Sequence, residues 1–363
     1  MSDSLKTDHL EMGARVYLRP FGFVNGAEAR DAVAAGLACF LAGGPVAFMG
    51  VELVRRSGGA VTRELLPVTA IAARSDVALT VTRMTAARRP LELGAGRRLS
   101  FERPLVMGIL NVTPDSFSDG GSFATSEAAL ERGRVMLAEG ADLLDVGGES
   151  TRPGSDPVAP EEEIRRVLPV IRSLVEDGAI ISIDTRHAAT MRAAAAGGAH
   201  IINDVSALGH DGDSLAAARE LRLPVILMHA QGDPKTMQDA PVYDDALLDV
   251  YDYLADRIDR VTATTGVSRA QIVVDPGVGF GKGLEHNLDL LRGLSMFHGL
   301  GCPILLGVSR KSFIGRITGV TDPRERLPGG LAAELKAVLA GVQMLRVHDV
   351  AATVQALAVW DAL

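Results

Sequence analysis

From about residue 105 to the C-terminus, short apolar runs that end in polar residues alternate with longer segments of helical pattern, and there are eight such runs. They are LVMGILN (105–111), DLLDVGG (142–148), IISIDT (180–185), HIIND (200–204), PVILMH (224–229), QIVVDP (271–276), PILLGVS (303–309) and MLRVHD (344–349). Near-continuous apolar strands belong to sheets buried on both faces, and eight parallel strands alternating with helices close a (β/α)8 barrel. The spacer TSEAALERGRVMLAEG opens on a cap-like Ser-Glu pair and closes at Gly140. APEEEIRRVLPVIRSLVEDG carries acids in its first turn and ends at Gly178, the charge arrangement a helix dipole favours. An open doubly wound sheet competes, but it usually has fewer strands and places a glycine fingerprint after the first. Here the first strand runs into NVTPDSFSDGG instead, so the expectation is an α/β fold of the TIM-barrel type over residues 101–363.

Residues 1–100 differ in kind. AEARDAVAAGLACFLAG has helical character, VAFMGVELVRR reads as a strand, and an arginine-rich stretch precedes the first barrel run. We expect a small N-terminal α/β appendage, whose Arg83, Arg88, Arg89, Arg97 and Arg98 are most simply solvated surface. The most apolar segment, residues 32–54, is broken by Gly43, Gly44 and Pro45 and carries Glu52, so it reads as helix, turn and strand rather than a membrane span. The N-terminus has no secretory signal pattern. Cys39 and Cys302 are far apart and form no C-x-x-C, which suits core thiols in a reducing cytoplasm. Thirty-seven Lys and Arg against forty-five Asp and Glu, a net charge of −8, argue against a chain that tracks nucleic acid. An anionic ligand must therefore meet local basic groups.

In such a barrel the active site lies at the C-terminal ends of the strands. The residues that end the runs are Asn111, the GGESTRPG loop, Asp184, Asn203 with Asp204, His229, Asp275, Ser309-Arg310-Lys311 and Arg346 to Asp349. Taken singly, each has a plain structural explanation: Asp184 or Asp204 as a helix or turn cap, His229 as a satisfied core histidine. Taken together, amides and carboxylates at several ends and cations at others make a site with two halves. One half can hydrogen-bond a planar heterocycle, and the other supplies positive charge.

DPGVGFGKG (275–283) looks at first like a phosphate-cradling loop. That pattern needs a glycine five positions before its Gly-Lys pair and a Ser or Thr after it, and here those places hold Pro276 and Gly283. Glycines at a strict spacing of two do not give a dinucleotide fingerprint either.

With MGILNVTPDSFSDGG, LLDVGGESTRPGS, SIDT, INDV, LMHAQGDPKTMQ, DPGVGFGK, GVSRKSFIG and RVHDV in this order and spacing, the chain resembles the dihydropteroate synthase family over about residues 104–363. The resemblance implies condensation of 6-hydroxymethyl-7,8-dihydropterin pyrophosphate with p-aminobenzoate, giving 7,8-dihydropteroate and pyrophosphate by an SN1-like route. It puts Asp184, Asn203, Met228, Asp275 and Lys311 on the pterin. Asn111, Thr151, Arg346 and His348 fall on the pyrophosphate, with Asn111 also a ligand of Mg²⁺. Phe117, Thr151, Pro153, Phe280, Ser309 and Lys311 fall on p-aminobenzoate. Lys311, Arg346, His348, Asp119 and Arg152 are implied to be catalytic, and sulfonamides to compete with p-aminobenzoate. The roles are chemically apt, because carboxylates and amides can read a pterin edge by paired hydrogen bonds and a departing polyanion needs charge neutralisation. The glycines after Asp275 would let the loop backbone approach the ring. The two loops NVTPDSFSDGGSF and GGESTRPGSDPVAP, rich in Gly, Pro and Ser, read as lids.

Two departures stand out: Ala230 in MHAQG, where the family commonly has methionine, and the long appendage, since members commonly begin near MGILNVTP. A methyltetrahydrofolate-corrinoid methyltransferase would share the pterin residues but has no use for Asn111, the Ser309-Arg310-Lys311 triplet or Arg346 with His348. A non-catalytic paralogue would be expected to have lost loop residues that are intact here. The resemblance further implies a homodimer through the last helices, with the apolar AATVQALAVWDAL (351–363) compatible with such a face.

Overall fold

The computed structural model describes residues 15–71, 73–113, 122–150, 157–232, 237 and 241–363 of the 363-residue chain. It begins with β1 (Arg15–Val24), α1 (Gly26–Ala34), β2 (Cys39–Phe40), β3 (Ala47–Ser57) and β4 (Ala60–Pro67). The long β3 pairs antiparallel with β1, β2 and β4. The helix expected over residues 27–43 stops at Ala34, because Gly36 turns left-handed at φ 72°. There Leu37 N–H bonds Ala32 O and Gly36 N–H bonds Val33 O, a Schellman closure that frees Cys39 and Phe40 to join the sheet. Two helices, α2 (Val68–Ile71) and α3 (Ala78–Thr85), and a two-residue-stranded hairpin, β5 (Leu91–Glu92) with β6 (Arg98–Leu99), lead to the barrel.

The eight barrel strands are β7 (Leu105–Asn111), β8 (Leu143–Gly147), β9 (Ile181–Asp184), β10 (Ile201–Asp204), β11 (Val225–Met228), β12 (Ile272–Asp275), β13 (Leu305–Leu306) and β14 (Met344–Val347). They run in the order β12-β11-β10-β9-β8-β7-β14-β13, and the parallel bridge Val274 to Ile304 closes the ring between its ends. Helices α4 (Ser122–Ala138), α5 (Pro160–Glu176), α6 (Ala188–Ala196), α7 (Ser214–Leu221), α8 (Ala246–Thr265) and α9 (Leu284–Arg292) follow β7 to β12 in turn. The pair α10 (Ser312–Thr318) and α11 (Leu327–Leu339) follows β13, and α12 (Val350–Ala362) follows β14. This is the expected α/β barrel with its α/β appendage. Two details differ from the sequence reading. Helix α4 begins at Ser122, so Ser126-Glu127 lies inside it rather than capping it. Strand β13 pairs over two residues only, since Pro303 has no N–H to give and the chain leaves the sheet at Gly307.

Side chains alternate across a strand, so one parity of each run fills the barrel. At the N-terminal ends that parity is apolar: Leu105, Met107, Leu143, Ile201, Ile226, Val273, Leu305 and Met344 form one buried cluster, and Leu91, Leu93 and Leu99 of the hairpin complete it. The appendage therefore plugs the barrel floor and leaves the opposite mouth open. Its sheet also docks on α8: Tyr17 Oη donates to Asp252 at 3.0 Å, Arg56 Nη1 to Asp249 at 2.5 Å and Arg63 Nη2 to Asp245 at 3.0 Å. Two of the arginines expected to be solvated are structural braces. Arg88 donates to Arg83 O at 2.7 Å and His298 O at 3.2 Å, and Arg97 donates to Gly178 O at 2.9 Å. Arg89 and Arg98 are exposed, as expected.

Candidate active site

One layer above the apolar floor, the inward parity turns polar. Asp145, which follows Leu143 by two residues on β8, is fully buried, and its Oδ2 accepts from Arg346 Nε at 2.6 Å and from Asn203 Nδ2 at 2.9 Å. The other arm of Arg346, Nη2, donates to Asp184 Oδ2 at 2.8 Å. One guanidinium from β14 thus spans carboxylates from β8 and β9, the forked geometry that an ammonium could not reproduce. Burial disfavours the charge on Arg346, but Asp145 and then Asp184 more than offset this, and its pKa is raised. Burial pushes Asp184 above the usual carboxylate range against the pull of Arg346, and it also raises Asp275. The second oxygens, Asp145 Oδ1 and Asp184 Oδ1, are buried without a hydrogen-bond partner among the described residues. Buried acceptors in that state are matched to a ligand that brings donors.

Of the remaining residues expected at the mouth, those among the described residues converge on the same place. Met228 ends β11, is 3% exposed, and its Cγ lies against the Gly277 turn. Asp275 ends β12 and its Oδ1 accepts the Gly277 N–H at 2.7 Å. Lys311 donates to Val278 O in a short contact, and its Nζ stands 4.7 Å from the centroid of the Phe280 ring, a cation–π distance. Burial pulls the Lys311 pKa down to about 8. Ser309 Oγ accepts the His348 N–H at 3.2 Å and lies 3.1 Å from His348 Nδ1. When that hydroxyl donates to Nδ1, the ring proton sits on Nε2. Arg310, left-handed at φ 62°, pairs with Asp349 through Nε at 3.0 Å and so ties the turn carrying Lys311 to the one carrying His348. Asn111 ends β7 beside Gly147, half-buried. Phe117, Asp119, Thr151, Arg152 and Pro153 lie outside the described residues.

For Asp204 and His229 the plain explanation holds. Asp204 accepts from Ser206 N–H at 2.7 Å and Leu208 N–H at 3.1 Å, capping a turn. His229 accepts from, or shares a proton with, the buried Lys282 at 2.9 Å. Asp145 is the residue that strand-end reasoning missed, since it lies one inward position deeper than Gly147. An acid inside the run LLDVG at the parity of Leu143 was the available signal. Glu149 was missed as well. It receives both arms of Arg186, at 2.8 and 3.1 Å, and the Val158 N–H at 3.1 Å, and so anchors both flanks of the loop between them.

A barrel mouth lined by three buried carboxylates and an amide on one side and by Arg346, His348 and Lys311 on the other defines a class, and a family profile described as pterin binding enzyme matches residues 107–348. The chain belongs to the pterin-binding enzyme family. Within it, the similar curated proteins are dihydropteroate synthases: that of Escherichia coli strain K12 is 47% identical over 268 residues, 74% of this chain and 94% of the relative. That of Neisseria meningitidis serogroup B is 48% identical over 275 residues, 74% of this chain and 96% of the relative. Among solved structures, Xanthomonas albilineans dihydropteroate synthase with 4-aminobenzoic acid superposes with a TM-score of 0.71 at 49% identity, covering 76% of this chain and 98% of that one. The same enzyme in complex with 7,8-dihydropteroate gives a TM-score of 0.69 at 47% identity, covering 76% of this chain and 98% of that one.

Proposed function

We propose that this chain is a dihydropteroate synthase, joining 6-hydroxymethyl-7,8-dihydropterin pyrophosphate to p-aminobenzoate. The observation that carries this reading is the division of the mouth into an acidic, amide-lined floor and a cationic rim that share Arg346. Asp184, Asn203 and Asp275 read the donor edge of the pterin, Met228 packs against its face, and Lys311 approaches its carbonyl side. Asp145 keeps Arg346 oriented. In the reaction, the bond between the pterin methylene and the bridging diphosphate oxygen breaks, with its electron pair leaving on diphosphate. The methylene cation is delocalised into the ring, the aniline nitrogen of p-aminobenzoate supplies the lone pair for the new C–N bond, and that nitrogen then loses a proton. Such a route asks for fixed charges around the leaving group more than for a strong base. Arg346 and His348, with Thr151, meet the diphosphate. Phe280, Ser309 and Lys311, with Phe117, Thr151 and Pro153, form the p-aminobenzoate pocket, and Asp119 and Arg152 close over the cation.

Among the described residues there is no group of three or more His, Cys, Asp or Glu placed to hold a metal. Mg²⁺ does not require one. It takes hard oxygen donors and keeps waters and substrate phosphates in its shell, so the amide oxygen of Asn111 beside a diphosphate suits it. Bound there, Mg²⁺ would neutralise charge on the leaving oxygens. No helix of the described residues is long and apolar enough to cross a membrane, and we place the protein in the cytoplasm. A homodimer through the last helices is our reading of assembly, supported by Val359 and Ile317, each 57% exposed. The described part of the appendage, from Arg15 to Ser100, serves as a floor and brace for the 101–363 barrel and takes no part in the chemistry.

The test is turnover: purified protein with dihydropterin pyrophosphate, p-aminobenzoate and Mg²⁺, with and without a sulfonamide, beside Arg346→Ala. Product that depends on Mg²⁺, falls with sulfonamide and drops at least about a hundredfold in the variant, the scale for losing one fixed charge-stabilising donor, supports the reading. Well-folded protein that binds pterin and makes no product overturns it.

A further inference from the structure

The sequence raised one lysine that the reaction leaves unused. Lys282, in the Gly-Lys pair that imitates a phosphate loop, is 1% exposed and lies behind the mouth rather than in it. Its Nζ is 2.9 Å from His229 Nδ1, 2.9 Å from Gly277 O, 3.0 Å from Phe280 O and 3.3 Å from His229 O. An ammonium has three donors and no acceptor, so four acceptors saturate it with one proton shared, and a phosphate would have nothing left to bind. Burial holds the Lys282 pKa well below the usual lysine value, while burial and then Lys282 hold His229 down to about 2, so the imidazole is neutral. With a protonated Lys282, Nδ1 is the acceptor and the ring proton sits on Nε2.

The cluster joins two loops that sequence places far apart. His229 N–H donates to Asp275 O at 3.1 Å, continuing the β11 to β12 ladder past its end. Beyond that point the loops press together: a Cβ on Gly277 would lie 1.9 Å from His229 O, and one on Gly281 would lie 2.1 Å from Gln231 O. Both glycines are left-handed, at φ 69° and 62°. The glycines therefore serve the contact between loops as much as any approach to a ring. On the far side, Asn287 Oδ1 accepts Gly279 N–H at 2.7 Å and its Nδ2 donates to Gly283 O at 2.8 Å. Between these fixed points the chain presents Val278 O and the Phe280 ring to Lys311.

We infer that Lys282 is a positioning residue for the p-aminobenzoate wall: by gathering Gly277 O, Phe280 O and His229 into one buried cluster, it fixes the Phe280 backbone and the ring that Lys311 faces. The inference rests on the reading of Phe280 as part of that pocket. It separates Lys282 from a general stabiliser, because a residue acting through Phe280 loses its effect once that ring is gone.

The experiment is a double-mutant cycle in the full chain on turnover, with wild type, Lys282→Met, Phe280→Ala and the double variant, reading KM for p-aminobenzoate and for the pterin substrate separately. The expected result is a rise of about tenfold or more in KM for p-aminobenzoate in Lys282→Met, a change within about twofold for the pterin substrate, and no further rise in the Phe280→Ala background, a coupling of about 1.4 kcal/mol. Additive effects, or equal rises in both KM values, overturn the inference. Should Lys282→Met fail to fold, Lys282→Gln, whose shorter amide arm has two donors and cannot reach Gly277 O, Phe280 O and His229 together, takes its position in the same cycle with the same two readings. Wild-type turnover is the separate check on the function: an inactive wild type removes the synthase reading before the cycle is read, whereas an active wild type with an additive cycle removes only the role of Lys282.

Discussion

Asp145→Ala is the substitution whose consequences can be worked most fully. The carboxylate is completely buried and one oxygen serves two donors, Arg346 Nε at 2.6 Å and Asn203 Nδ2 at 2.9 Å. Its removal leaves the guanidinium with Asp184 alone and deprives the Asn203 amide of this acceptor. Breaking a buried ion pair from one side costs about 3–5 kcal/mol, because the surviving charge stays desolvated. With an unfolding entropy of about 2.1 cal/mol/K per residue over 363 residues, each kcal/mol moves Tm by about 1.3 °C, so the loss reads as roughly 4–7 °C in thermal unfolding. Asp145→Asn keeps the shape and one acceptor oxygen but turns a charge-assisted bond into a neutral one, a loss of about 1–2 kcal/mol. Activity should fall further than stability in both, since Arg346 swings toward Asp184 and away from the leaving group: at least about a hundredfold in kcat/KM, the scale for a displaced fixed charge. An Asp145→Ala protein with wild-type Tm and kcat/KM would refute the claim that Asp145 holds Arg346 in place.

Two further outcomes follow from the geometry. The pKa of Lys311 is lowered by burial to about 8, so its charge is present below that value and lost above it, and the pH profile of kcat/KM for p-aminobenzoate should show an alkaline limb with an apparent pKa near 8; a profile that stays flat to about pH 9.5, far beyond such a titration, contradicts a role for the ammonium. Gly277→Ala places a Cβ 1.9 Å from His229 O in a left-handed residue at φ 69°, so the backbone must shift; denaturant unfolding should show a loss of at least about 1–2 kcal/mol from the backbone conformation alone, and an unchanged midpoint would mean the loops are not pressed together.

The barrel was legible in the sequence because each strand is an apolar run with a polar end, and the ends that were named, Asn111, Asp184, Asn203, Asp275 and Arg346, do face one mouth. What was not legible sits off that rule. Asp145 is a polar residue within an apolar run, visible only when parity is followed inward from Gly147. Lys282 sits in a motif whose spacing already excluded a phosphate loop, at Pro276 and Gly283, but what the lysine does instead shows only in its burial among carbonyls. In the appendage, alanines over residues 27–43 favour a helix throughout, but Gly36 ends it and pairing with β3 recruits Cys39 and Phe40. Arg88 and Arg97 looked solvated because their partners, Arg83 O, His298 O and Gly178 O, are backbone carbonyls that leave no mark in a sequence.

In the proposed function, one mouth holds the pterin on its acidic floor and the diphosphate on its cationic rim, with Arg346 at the boundary. The decisive measurement is a crystal structure of this protein with dihydropterin pyrophosphate and a sulfonamide. The expected result is the pterin edge on Asp184, Asn203 and Asp275, diphosphate oxygens within hydrogen-bond reach of Arg346 and His348, and the sulfonamide ring between Phe280 and Lys311. A pterin bound elsewhere, or a diphosphate that neither Arg346 nor His348 touches, would contradict it.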